Sequence, residues 1–225
     1  MEVEIHSIPM GFDTIYAIRG EGVILVDGGD PDRFERFKKG LERASIAPDE
    51  IRLLIATHGH WDHVGSIKEI KELTGAEVLM HRDDEHFLQD AHPGQPPGLT
   101  AWGKVLTALI RLFLPFVAIP TFDVDRFAEG DEEISLTAYG IPGVVIHTPG
   151  HTHGSLSVLL ESGEAFVGDL AMNRMPLRRR PGMPIFGDDA ESIRQSWRKL
   201  LDRGAKRVYP AHGDPFPAEV MAREI

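Results

Sequence analysis

Apolar and polar positions follow two rhythms along this chain, and the switches between them mark its elements. Short β-prone runs open it at 3–6 and 14–18, followed by the nearly unbroken apolar run Val23-Ile24-Leu25-Val26. An apolar run of that length without alternation predicts a strand covered on both faces. The turn Asp27-Gly28-Gly29-Asp30 ends it. Asp30 and Pro31 then read as the N-cap and first position of a helix carrying Phe34, Phe37 and Leu41. A second buried strand over 51–56 runs into Thr57-His58-Gly59-His60-Trp61-Asp62-His63, with a helix expected over 64–73 and a strand over 77–80. Strand and helix in alternation predict an α/β layered fold.

The stretch 90–121 breaks the rhythm. Pro93, Gly94, Pro96, Pro97 and Gly98 predict a loop, after which Leu99, Trp102, Leu106, Leu109, Ile110 and Phe113 recur at helical spacing. The apolar run continues past Pro115 to Ile119, so this helix is apolar round much of its circumference. It reads as an insertion at about 93–121, with two roles open to it: a lid over an active site, or a homodimer interface through the helix at 99–114. From 122 to 167 the pattern is strand-rich, and the strand Ala165-Phe166-Val167 ends in Gly168-Asp169. A loop with Arg174 and Arg178-Arg179-Arg180 leads to a helix at about 190–203. The last strand, 206–209, stops before Pro210-Ala211-His212-Gly213. Both halves share a strand-strand-helix order and no Gly- or Ser-rich linker divides them, so 1–225 reads as one domain.

Composition narrows the function. Hydrophobic residues at 42% and charged residues at 26% are ordinary globular usage. With no cysteine, a disulfide scaffold, a thiol nucleophile, an iron–sulfur cluster and a thiolate zinc site are all excluded. A net charge of −11 gives no basic field for nucleic acid. The N-terminus lacks a signal-peptide pattern, and the longest apolar run, broken by Arg111 and Pro115, falls short of the roughly 20 residues of a membrane span. The expectation is a cytoplasmic protein acting on a small molecule.

Three histidines and an aspartate fall within the six residues His58, His60, Asp62 and His63, directly after a buried strand. Ligands gather at such strand ends in α/β folds. Neutral imidazole and carboxylate suit Zn²⁺ and also iron or manganese, and packing offers no reason for such a cluster. His151, Asp169 and His212 each follow a predicted strand in the same way.

The run His58-Gly59-His60-Trp61-Asp62-His63 resembles the H-x-H-x-D-H signature of the metallo-β-lactamase superfamily, and His151, Asp169 and His212 follow in the family's order. The resemblance covers nearly the whole chain. It implies a four-layer αβ/βα sandwich with two divalent metal ions, zinc in the first place and manganese or iron as alternatives. By motif position, His58, His60 and His151 would bind the first ion and Asp62, His63 and His212 the second, with Asp169 bridging. Asp27 matches an acidic position that braces the site, or is a plain turn aspartate. Two ions about 3.5–4 Å apart can share a water and lower its pKa toward about 7. The implied activity is therefore hydrolysis of a small ester, thioester or lactone by a metal-bound hydroxide, with Asp62 also handling protons. The alternatives are an iron-dependent dioxygenase or redox protein on the same scaffold, a phosphodiesterase, or a β-lactamase.

Departures from particular branches sharpen this expectation. The diiron oxygen-reducing branch resembles H-x-E-x-D, whereas the middle position here is His60. Acyl-homoserine lactonases carry a tyrosine three residues past the bridging aspartate, where this chain has Met172. Enzymes resembling glyoxalase II end in a helical glutathione-binding domain, which is not expected in the thirteen residues after His212. Arg174 and Arg178 could clamp an anionic group of the substrate. Trp61 reads as packing and His153 as exposed, and His6, His81, His86, His92 and His147 read as structural or surface residues.

Overall fold

The computed structural model describes residues 3–89, 97–117 and 121–225. Strands β1 (Glu4–Pro9), β2 (Thr14–Arg19), β3 (Val23–Val26), β4 (Ile51–Ile55), β5 (Glu77–His81) and β6 (Arg126–Ala128) form one sheet in that order. β2 pairs antiparallel with both β1 and β3, and the pairings from β3 to β6 are parallel. The second sheet contains β7 (Ile134–Ser135), β8 (Gly143–His147), β9 (Leu156–Leu160), β10 (Glu164–Gly168), β11 (Arg207–Pro210) and β12 (Phe216–Pro217), again in chain order. Each half of the chain thus supplies one sheet.

The helices are α1 (Phe34–Ala44), α2 (Trp61–Val64), α3 (Ile67–Thr74), α4 (His86–Gln89), α5 (Ala101–Phe113), α6 (Ala190–Asp202) and α7 (Glu219–Ala222). Between the sheets, Ile24, Val26, Leu53 and Ile55 meet Val145, Val158 and Phe166. On the outer face of the first sheet, Val23, Leu25 and Leu54 pack with Phe37 and Leu41 of α1 and Ile67 and Ile70 of α3. The outer face of the second is covered by Ile193, Trp197 and Leu200 of α6 and Met221 of α7. The order is therefore helix, sheet, sheet, helix: the four-layer αβ/βα sandwich. It explains why β3 and β4 show no polar alternation, since both of their faces are covered. Trp197 is fully buried with its indole N–H donating to the Leu170 carbonyl at 3.0 Å. Trp197→Ala is expected to cost about 3–5 kcal/mol, read as a lowered denaturation midpoint in urea.

Three local expectations are corrected. Asp30 does not cap α1: Arg33 holds that position without a side-chain bond, and the Asp30 carboxylate accepts the Phe12 N–H at 2.9 Å. The helix expected over 64–73 is two pieces, α2 and α3; at their junction the His63 carbonyl accepts the Gly28 N–H and the Ser66 hydroxyl donates to the Asp30 carbonyl, each at 2.7 Å. The inserted helix begins at Ala101, where the Thr100 hydroxyl accepts the Gly103 N–H at 2.9 Å. The predicted loop at 93–96, the end of the apolar run at 118–120 and His92 lie outside the described residues.

Candidate metal centre

The strand ends converge on one edge of the sandwich. β4 ends at Ile55 and delivers His58, His60, Asp62 and His63 through the following turn and α2. His151 follows β8, Asp169 follows β10 and His212 follows β11. Ligand-type atoms of His58, His60 and His151 lie within 4.8 Å of one another, as do those of Asp62, His63 and His212, and those of His58, His63 and Asp169. Asp169 stands between the groups: Oδ1 is 3.4 Å from His63 Nε2 and 3.3 Å from His212 Nε2, and Oδ2 is 3.6 Å from His151 Nε2. All seven residues predicted from the motif positions are therefore brought together.

The surroundings of the rings set their orientation. The Asp27 carboxylate, at a buried turn with φ of 67°, accepts the Thr57 N–H and hydroxyl, each at 2.8 Å, and the His63 Nδ1–H at 2.9 Å. The Thr57 hydroxyl lies 3.1 Å from His58 Nδ1. His151 Nδ1 donates to the Phe186 carbonyl at 3.1 Å and His212 Nδ1 to the Phe12 carbonyl at 3.3 Å. An acceptor on Nδ1 selects the tautomer whose Nε2 lone pair faces the centre, the arrangement typical of metal-ligating histidine. His60 is turned the other way, with its Nδ1 facing His151 Nε2 at 3.0 Å. Asp27 therefore braces both histidine groups.

Buried atoms without hydrogen-bond partners test whether a metal fits. At the centre these are His58 Nε2, His63 Nε2 and Asp169 Oδ1, each turned toward the other ligand-type atoms. Orphaned buried polar atoms are costly, and a cation that displaces the His63 proton would satisfy all three at once. Electrostatics agree. Burial, with neighbouring rings, holds His58 and His60 well below the ordinary histidine range, and burial also lowers His151, so these rings stay neutral and able to coordinate. Burial pulls His63 and His212 down as well, but carboxylates outweigh it. Asp27 and Asp169 carry His63 well above its usual value, and Asp169 with Asp62 does the same for His212. Burial pushes Asp62 and Asp169 up, and the positive His212 and His63 more than reverse this, so both remain ionised.

A pocket of about 290 Å³ opens above the centre. His60, Asp62, His151, Asp169 and His212 form its polar floor, and Phe12, Trp61, Leu106, Ile110, Pro176, Leu177 and Phe186 its walls. Trp61 packs on the core and lines the pocket as well. Met172, at the position of the lactonase tyrosine, is fully buried among Leu177, Ile185 and Phe186.

Neither arginine singled out in the sequence lines this pocket. Arg178 donates to the carbonyls of Arg180 and Met183, at 2.7 and 2.8 Å, and to the Glu224 carboxylate at 2.7 Å. Arg174 reaches the Gly11 carbonyl at 3.3 Å, its guanidinium 5.3 Å from the Phe12 ring centroid. His153 is exposed and lies 3.0 Å from Asp188. His81 and His147 stack at 4.1 Å, joining the ends of β5 and β8.

Sequence reasoning missed Asp84. Its buried carboxylate accepts the Gly59 N–H at 3.0 Å, the Gly154 N–H at 2.8 Å and the Thr152 hydroxyl at 2.8 Å. It ties the turn of His58 and His60 to the turn of His151, and burial raises its pKa despite three donors. Asp13 was missed too. Its carboxyl is fully buried without a hydrogen-bond partner, and burial with nearby Asp30 pushes it up to about 8. In the sequence, Asp84 is one of four consecutive charged residues, Arg82 to Glu85, and carries no signal of its own.

Known proteins resemble this chain in sequence and in fold. The family model described as the metallo-beta-lactamase superfamily matches residues 10–212. "Probable metallo-hydrolase YflN" of Bacillus subtilis is 22% identical over 98% of this chain and 88% of its own. "Hydroxyacylglutathione hydrolase GloC" of Haemophilus influenzae is 29% identical over 75% of this chain and 69% of its own. Among solved structures, the BLEG-1 B3 metallo-beta-lactamase superposes with a TM-score of 0.73 at 19% identity, covering 98% of this chain and 97% of that one. With the family matched from the first sheet to His212, the fold shared and the His/Asp groups gathered at one sandwich edge, the chain belongs to the metallo-β-lactamase superfamily and is a metallo-hydrolase.

Proposed function

We propose that the protein hydrolyses a small, largely apolar ester, thioester or lactone with two divalent ions, zinc before manganese or iron. One observation carries this: two histidine groups meet at Asp169 on the floor of a pocket whose walls are apolar and include no lysine or arginine among the described residues. A phosphodiester or polycarboxylate would bring negative charge into that pocket without a cation from the walls to meet it. The hydroxyacylglutathione hydrolase among the relatives supports acyl chemistry.

His58, His60 and His151 would hold one ion and Asp62, His63 and His212 the other, with Asp169 shared. Bound there, the ions supply Lewis-acid activation of water and of a substrate carbonyl. The chain's own groups do the rest. Leu106, Ile110 and Phe186 exclude water and seat the apolar part of the substrate, which makes α5 the lid. Asp62 Oδ2, 3.3 Å from His212 Nε2 and on the pocket floor, is ionised and can take up a proton and return it to the leaving group. Met172 places no hydroxyl here, so leaving-group protonation falls to Asp62.

Elemental analysis of the purified protein, with a parallel screen of esters, thioesters, lactones and phosphodiesters, tests this reading. About two zinc or manganese ions per chain, and hydrolysis of acyl substrates that a chelator abolishes, are the expected results. About one iron per chain without hydrolysis would overturn the proposal in favour of oxygen chemistry.

A further inference from the structure

Helix α5 has two apolar faces, and the pocket uses only one. Leu106 and Ile110 face the pocket. Adjoining them toward solvent, Trp102, Val105, Leu109, Leu112 and Phe113 form a stripe that Phe116 extends, with Leu112 and Phe113 66% and 67% exposed and Phe116 86% exposed. At 100° per residue the five helical positions fall within roughly 100° of arc. Scattered exposed apolar residues need no explanation, whereas a contiguous stripe of large ones marks an interaction surface. The Trp102 indole donates to the Pro176 carbonyl at 2.8 Å, which places the exposed Met175 beside the same stripe.

Charge identifies what covers it. The chain carries a net −11, yet it has no Asp or Glu between Asp90 and Asp123, and none between Asp169 and Asp188. Lys104 and Arg111 lie on α5, while Arg179 and Arg180 follow the segment held by Trp102, and all four are exposed. An exposed apolar stripe, basic residues on the same helix and in the neighbouring 169–188 segment, and no acidic residue between the ends of either segment make the composition of a helix lying in the plane of an anionic membrane. A second copy fits poorly. A two-fold contact presents the same patch twice, so both basic sets would meet with no acidic group in these segments to pair with. The long arginine and lysine stems let the charges reach headgroups while the aromatics enter the acyl boundary. Among the described residues no helix is long and apolar enough to cross a membrane, in keeping with surface docking.

We propose that the outward stripe of α5, with Lys104, Arg111, Arg179 and Arg180, docks the protein peripherally on an anionic lipid surface. Docking sets the helix that walls the pocket against the bilayer, and it does not depend on the proposed reaction. Vesicle co-sedimentation of the full-length, metal-loaded protein tests it. Binding to phosphatidylcholine vesicles containing phosphatidylglycerol, with little binding to phosphatidylcholine alone and loss at high salt, is the expected result. Phe113→Glu should abolish it, and Arg179→Gln or Arg180→Gln should each weaken it about fivefold. These arginines are surface residues, so the latter pair keeps the test independent of any folding defect in the first variant. Absence of binding, or equal binding to neutral vesicles, would overturn the proposal. So would a concentration-dependent dimer in analytical ultracentrifugation that Leu112→Glu dissociates, since the stripe would then belong to a second copy.

Discussion

Asp169→Asn should reduce kcat/KM by about a thousandfold or more and leave the protein unable to retain both ions. The carboxylate reaches both histidine sets, 3.4 Å from His63, 3.3 Å from His212 and 3.6 Å from His151. Its charge balances His63 and His212 in the metal-free protein and would balance two cations in the loaded one. The amide keeps the shape but removes the charge, so the cations would repel across the centre without a shared anion. Metal content after gel filtration and steady-state kinetics read the two effects separately. Circular dichroism should stay unchanged, because Asp169 lies past the end of β10 rather than within a strand. Activity within tenfold of the parent, with the full metal content, would remove Asp169 from the centre.

The second large effect is expected at Asp84. Replacing it with alanine strands the buried N–H groups of Gly59 and Gly154 and leaves the Thr152 hydroxyl only the Ser155 hydroxyl, at 2.7 Å. Each orphaned N–H costs about 1–3 kcal/mol, so Asp84→Ala should lose about 2–6 kcal/mol in urea unfolding. It should also weaken metal retention in competition with a chelator, because Gly59 lies between His58 and His60 while Thr152 follows His151. Asp84→Asn keeps the volume and one carbonyl oxygen but turns an NH₂ toward a donor, and its loss should fall between that of alanine and that of the parent. Stability lost with metal affinity untouched would show that Asp84 supports the turns without setting the ligand geometry.

How much of this was legible beforehand depends on where the signal lies along the chain. The six-residue run from His58 to His63 carries its meaning locally, since no other use of those side chains accounts for their spacing. His151, Asp169 and His212 were recognisable because each follows an apolar strand at the edge where an α/β fold collects ligands. The continuous apolar runs of β3 and β4 announced two covered faces, while the four-layer order came only from the family resemblance. Asp27 was left open between a brace and a turn residue, and the Thr57 and His63 bonds resolve it as a brace. Asp30 misled because Asp-Pro before an amphipathic stretch reads as a cap. The carboxylate bonds to Phe12 instead, eighteen residues away in the chain.

Local pattern therefore determined the alternation of strands and helices, the ligand residue types and the absence of thiol chemistry, because each depends on neighbours in the chain or on composition. Tertiary structure alone decided that Asp84 ties two ligand turns together, that the Phe12 and Phe186 carbonyls orient His212 and His151, and that Arg178 bonds Glu224 rather than facing the pocket. Those are contacts between segments 25 to 200 residues apart. It also divided α5 into a face over the pocket and a face toward solvent. An apolar helix of uniform composition does not encode which side meets the protein; the position of the pocket beneath it does.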